Sequence, residues 1–270
     1  MNLAKFLCLL LALSSFGQAA TQPNVLFILV DDMGLGDLAS NGGAGVLTPH
    51  MDQLAREGTR FTQFYTASPI CSPSRCGLIT GQFPARWRIT SFLQTRTGNL
   101  ECGQADFLDA DAPSFVRAFK AAGYATAHIG KWHLGGGRDV TDAPKFTAYG
   151  YDLGLGTYES PEPAAGLGLK SAPWSDKTEP RQVARHDRTR WMVDETLAFV
   201  KKHATKPWLV NLWFDDVHTP HVPSDEQLSN AREGTGTAKY RAPVGWYDRR
   251  VADPGRGGDL ARPRRGQYAA

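Results

Sequence analysis

The sequence predicts an α/β protein, a mainly parallel sheet flanked by helices. Two observations carry that prediction. Segments that read as strands alternate with amphipathic helical segments along the chain. The first strand, residues 25–30 of "NVLFILVDD", is a continuous apolar run that ends in two aspartates, as a strand buried on both faces of a parallel sheet does. With 270 residues, 41% apolar and 21% charged, the chain is long enough for one large domain or one domain with an appendage.

The elements follow in order. "TPHMDQLAREG" offers Thr48 as N-cap, Pro49 at the first helical position, Met51, Leu54 and Ala55 on one face and Gly58 as the stop. "RFTQFYTA" alternates like a half-buried strand. "APSFVRAFKAAG" places Phe115, Val116, Phe119 and Ala122 on one helical face and stops at Gly123, and "YATAHIG" follows as a strand. Residues 141–185, rich in Gly and Pro, read as a long loop or insertion. "DRTRWMVDETLAFVKKH" is a longer helix with Met192, Leu197 and Val200 inward, and it leads into the strand "PWLVNLWF".

The first twenty residues read as a secretory signal peptide. Lys5 precedes an apolar stretch at 6–13, and Gly17 and Ala19 are small residues placed for cleavage near Ala19 or Ala20. The apolar stretch is far shorter than the roughly 20 residues a membrane span needs. The expectation is a secreted or periplasmic protein with no membrane attachment after cleavage. Loss of Cys8 leaves Cys71, Cys76 and Cys102, an odd number for an oxidising compartment. The formal charge of +3 is uneven: residues 241–270 hold seven arginines and three aspartates, so the preceding 240 residues carry −1. That distribution argues against a nucleic-acid partner.

Ligand sites of open α/β sheets lie beyond the carboxyl ends of the strands. Asp31 and Asp32, "GKWHL" and "DDVHTPH" each follow a strand, and "SPICSPSRCGLITG" comes after "RFTQFYTA". Adjacent carboxylates repel unless a cation or strong donors neutralise them, so Asp31 and Asp32 read either as ligands of a hard divalent cation, calcium or magnesium, or as a solvated turn. Asp215 and Asp216 read as the solvated kind. Lys131 and His133, two apart in an extended segment, share a face and could hold an anion and move a proton. His218 and His221 flank a proline. No zinc-ligand spacing and no phosphate-binding glycine loop is present. Carboxylates, Lys, Arg and His around a cysteine suit a tetrahedral sulfate or phosphate ester.

"CSPSRCGLITG" resembles the signature of the type I sulfatases, in which Cys-x-Pro-Ser-Arg is followed by Thr-Gly. "NVLFILVDDMGLGDL", "TPHMDQLAREGTRFTQFY", "GKWHLG" and "HTPH" resemble that family's other segments, in its order, from about Asn24 to His221. The resemblance implies an alkaline-phosphatase-like sulfatase core. It also implies a formylglycine made from Cys71 by a formylglycine-generating enzyme, which explains the odd thiol count. Asp31 and Asp32 would bind a calcium ion that also contacts the residue at 71. The hydrated aldehyde has two hydroxyls, one to attack sulfur and one to eliminate sulfate afterwards. Arg75 would stabilise the hydrate, Lys131 would bind sulfate, His133 would assist the second step, and His218 would hold sulfate or protonate the leaving oxygen. The substrate implied is a sulfated small molecule or polysaccharide. A phosphate or phosphonate ester hydrolase of the same superfamily and an inactive fragment are the alternatives. Cys76 and Cys102 are candidates for a disulfide.

The resemblance ends near Lys239. Residues 21–240 read as the N-terminal part of a catalytic domain, without the later Asp-Asn of the metal site. Residues 241–270, with five glycines, three prolines and seven arginines, read as an aberrant tail that does not pack, as a frameshift would produce.

Overall fold

The computed structural model describes residues 22–43, 48–168 and 183–230. The expected signal peptide, the expected tail at 241–270 and part of the Gly- and Pro-rich segment lie outside the described residues.

Four strands form one sheet: β1 (Val25–Leu29), β2 (Ala125–Gly130), β3 (Leu153–Gly156) and β4 (Trp208–Trp213). They lie in the order β1-β4-β2-β3 and every pairing is parallel. Every residue of β2 is buried and so is nearly all of β4, as the apolar runs require of strands covered on both faces. Along β4 the side chains alternate. Leu209 and Trp213 join Ile79, Val116, Trp132 and Tyr151 on one face, while Val210 and Leu212 join Ile129, Met192 and Phe199 on the other.

The helices are α1 (Pro49–Glu57), α2 (Cys71–Thr80), α3 (Arg96–Glu101), α4 (Phe115–Ala121), α5 (Arg188–Lys202) and α6 (Asp225–Asn230). Helix α1 starts and stops where Thr48, Pro49 and Gly58 predict. Thr48 nonetheless makes no capping bond; its hydroxyl accepts from Ala39 N and donates to Asp52 Oδ2, each at 3.1 Å, tying the helix to the preceding loop. Helix α5 buries Met192 and Phe199 against the sheet.

Four expectations are corrected. Residues 60–67 form turns and coil, not a strand, and Phe61, Phe64 and Tyr65 are more than 70% exposed; alternation marks a strand only where a partner and a core face exist. The segment at 141–185 contains β3, whose four residues LGLG are too short to show a period. Its Gly154 is required by packing, since a Cβ there would meet the Phe146 ring at 2.0 Å. Strand β1 is only partly covered, because among the described residues it pairs with β4 alone. The thiols of Cys76 and Cys102 are free, one buried and one exposed, so they form no disulfide.

Candidate active site

The carboxyl ends of β1, β2 and β4 deliver Asp31, Lys131 and the Asp215–His218 turn to one edge of the sheet. Cys71 arrives as the first residue of α2, with Arg75 one turn further on. Pro73 fits the first turn of that helix, where the missing N–H costs nothing. Gly81, at φ +65°, ends it. Ser72 is buried and its hydroxyl accepts from Leu93 N at 3.0 Å, so the loop at 88–93 fixes the helix's first turn.

Asp31 is the hub. Lys131 Nζ donates to its Oδ2, and Arg75 lies 3.4 Å from its Oδ1. All three side chains are almost fully buried. Burial alone would raise the Asp31 carboxyl, but the charges of Arg75 and Lys131 outweigh it and hold the group below its ordinary value. Lys131 Nζ also donates to Cys71 Sγ at 3.5 Å. Arg75 donates to Lys131 O at 2.9 Å and lies 5.1 Å from the Trp213 ring. Burial pushes the Cys71 thiol up despite the Lys131 charge, so an unmodified Cys71 is a protonated thiol and not an activated thiolate.

Asp32, at φ +59°, carries a half-exposed carboxylate 3.6 Å from His218 Nε2. His218 Nδ1 donates to Thr219 O at 2.7 Å, which leaves the Nε2 lone pair on the Asp32 side in the neutral ring. One ligand atom each from Asp31, Cys71 and His218 lies within 4.8 Å of the others.

His133 departs from expectation. Its φ is +53°, so the backbone leaves extended geometry at this residue, yet Lys131 and His133 both stand against the Tyr158 ring. The ring is buried, Nε2 donates to Leu93 O at 3.0 Å, and Nδ1 has no hydrogen-bond partner among the described residues. Burial and the neighbouring Lys131 hold the imidazole neutral.

Asp215 and Asp216 are not a solvated turn. Arg185 lies 3.2 Å from Asp215 Oδ1 and 2.9 Å from Asp216 Oδ1, and Arg188 lies 3.2 Å from Asp215 Oδ2. Asp215 is fully buried on these arginines and Asp216 largely covered. Arg185 also donates to the carbonyls of Asp215 and His218, and Asp216 O accepts from Asp31 N at 3.1 Å. The network therefore holds the β4 turn and the β1 end in register. Sequence reading missed Arg185 and Arg188 because no local spacing links them to the aspartates. It also missed Tyr158, whose ring stands against both Lys131 and His133.

Comparison with known proteins bears on the family and the fold. The Sulfatase family model matches residues 23–253, running past Lys239. N-acetylgalactosamine-6-O-sulfatase of Bacteroides thetaiotaomicron is 39% identical over 142 residues, covering 50% of this chain and 26% of that protein. N-acetylgalactosamine-6-sulfatase of Mus musculus is 30% identical over 259 residues, covering 84% of this chain and 46% of that protein. The chain thus spans less than half the length of either relative. The crystal structure of Ps i-CgsB in complex with k-i-k-neocarrahexaose superposes with a TM-score of 0.66 at 24% identity, over 85% of this chain and 53% of that one, and shares the fold. With the family model covering most of its length and every described motif lying inside the match, the chain belongs to the Sulfatase family.

Proposed function

We propose that this chain carries the part of a sulfuric ester hydrolase that binds the sulfate group and attacks it, with a formylglycine made from Cys71 as nucleophile and a calcium ion as electrophile. The observation that carries the reading is the convergence of Cys71, Lys131 and Arg75 on Asp31 at the mouth of the sheet. A protonated, half-buried thiol is a poor nucleophile, whereas an aldehyde hydrate at that position needs no thiolate.

The donor set fits a hard cation. A carboxylate offers about four lone-pair positions, so Asp31 can engage Lys131 and Arg75 and still face a metal. Asp31, Asp32 and the oxygen that replaces the Cys71 sulfur would hold it, with His218 at the rim. When bound, calcium supplies Lewis-acid stabilisation of charge on the transferring group. The hydrated formylglycine supplies one hydroxyl for attack on sulfur and a second whose deprotonation releases sulfate.

The remaining work falls to the chain's own side chains. Lys131 and Arg75 neutralise the sulfate oxygens and the hydrate beside Cys71. His133 donates through Nε2 to Leu93 O and so keeps a lone pair at Nδ1, the atom that takes up a proton in the second step. His218 is held by Thr219 O at Nδ1; in the doubly protonated ring, Nε2 also carries a proton and would bind sulfate or protonate the leaving oxygen. A sulfated saccharide or sulfated small molecule is the substrate class, in keeping with the names of the relatives. A formylglycine-generating enzyme is the maturation partner, and a secreted or periplasmic location follows from the leader read at residues 1–20.

The test is coexpression with the maturation enzyme, mass spectrometry of the tryptic peptide containing Cys71, and assay on aryl sulfate and aryl phosphate. The expected result is a loss of about 18 Da, thiol to aldehyde, with turnover of the sulfate ester. An unmodified cysteine and no sulfate turnover in a soluble, folded sample would reject the reading. Turnover of the phosphate ester alone would transfer it to phosphate or phosphonate hydrolysis.

A further inference from the structure

Tyr158 lies just beyond β3 and touches both cationic-site residues that follow β2. Its ring centroid is 5.2 Å from Lys131 Nζ, within cation–π range, and 4.7 Å from the His133 ring in an edge-to-face arrangement. Its carbonyl accepts from His133 N at 3.0 Å. The phenol oxygen accepts from Arg138 Nη2 at 2.9 Å, and Arg138 Nε lies 2.6 Å from Glu159 Oε1. Glu159 is 3% exposed and Arg138 only partly covered, so the carboxylate end of this ion pair is the buried one.

The backbone around it is held under strain. His133, Arg138 and Glu159 have φ of +53°, +46° and +41°, a region costing a non-glycine residue about 1 kcal/mol or more. The two loops also interlock: a Cβ on Gly136 would lie 2.4 Å from Pro161 N. Strain of this kind persists only where surrounding contacts over-determine the geometry.

We propose that Tyr158, fixed from behind by the Arg138–Glu159 ion pair, is the positioning residue that sets Lys131 and His133 relative to each other. Its consequence for turnover rests on the sulfatase reading above; the positioning itself does not. Tyr158 faces the ammonium that meets Asp31 and Cys71, so displacing its ring lets Lys131 and His133 move independently.

The test uses the full chain with 15N-labelled histidine, His133 being identified by the signals lost in His133→Gln. In the wild type, ring-proton contacts between Tyr158 and His133 are expected, and their absence overturns the proposal without any variant. Tyr158→Leu should move the His133 ring signals and weaken binding of inorganic sulfate, read by calorimetry, by roughly fivefold, the size of a lost cation–π contact. Tyr158→Phe, which keeps the ring, should restore most of that affinity. Unmoved His133 signals in a folded Tyr158→Leu chain overturn the proposal. Should that variant not fold, Glu159→Gln decides, since releasing Arg138 must also move the His133 signals and unchanged signals overturn it. A wild type that turns over no aryl sulfate rejects the sulfatase reading and leaves the His133 spectrum to judge the positioning.

Discussion

Asp31 holds two buried cations at once, and its charge is what makes the other two tolerable. Asp31→Asn leaves Lys131 and Arg75 buried without a counter-charge, and breaking such a cluster costs about 3 kcal/mol or more. Asp32→Asn, at a half-exposed carboxylate beside His218, should change stability by only about 0.5 kcal/mol. Urea unfolding of the two variants checks the contrast, and equal losses would refute the account of Asp31. The same contrast explains what could be read from sequence. Asp31, Lys131, His133 and His218 follow apolar runs, and Cys71 and Arg75 share one short motif, so strand ends and motif spacing pick them out. Arg185, Arg138 and Tyr158 carry no such signature; their importance comes from partners brought near by folding.

At the scale of elements, strands buried on both faces and helices with clear caps were legible, whereas β3 and α2 were not. Strand β3 is too short to show a period. Helix α2 mixes its apolar and polar positions because it is buried on several sides, with Ser72, Pro73, Arg75, Cys76, Ile79 and Thr80 all covered, so no amphipathic stripe forms. Where β2 ends, Gly130 lets its backbone pass close against the neighbouring strand β4. Its φ is +113°, and a Cβ there would stand 1.8 Å from Trp213 O on the adjoining strand. Gly130→Ala should therefore cost about 4 kcal/mol or more, through both strain and a backbone clash. Gly36→Ala, where nothing lies within 4 Å and φ is unexceptional, should be neutral or stabilising by a few tenths of a kcal/mol. Thermal unfolding of the pair tests this, and a tolerated Gly130→Ala would show that the β2–β4 contact yields.

Across the whole molecule, acid should act through buried histidines. His128 is enclosed by Trp132, Phe146, Tyr151 and Trp213, and burial, aided by the charge of Arg75, pushes it down to about 3. His133 is displaced in the same direction. In the unfolded chain such groups take up protons near pH 6.5, while the folded state refuses them. The unfolded state therefore binds more protons as pH falls below about 6.5, and stability declines from there towards pH 3; above about pH 7 these histidines contribute no slope. His128→Asn removes one such proton and should flatten the decline by up to about 1.4 kcal/mol per pH unit. Urea unfolding between pH 4.5 and 7.5, on the order of one experiment per half unit, measures the slopes, and parallel curves for variant and wild type would refute the assignment. The strand order β1-β4-β2-β3 has a different kind of consequence. Among the described residues, the last strand synthesised is the one that joins the first to the middle, and Trp208 N reaches back across 184 residues to donate to Asn24 Oδ1. Chain growth thus leaves β1 without its sheet partner until β4 has been made. Asp31 is made early, yet it gains its neighbour at Asp216 only after β4 has slotted between two waiting strands, a non-local closure of the kind that folds slowly.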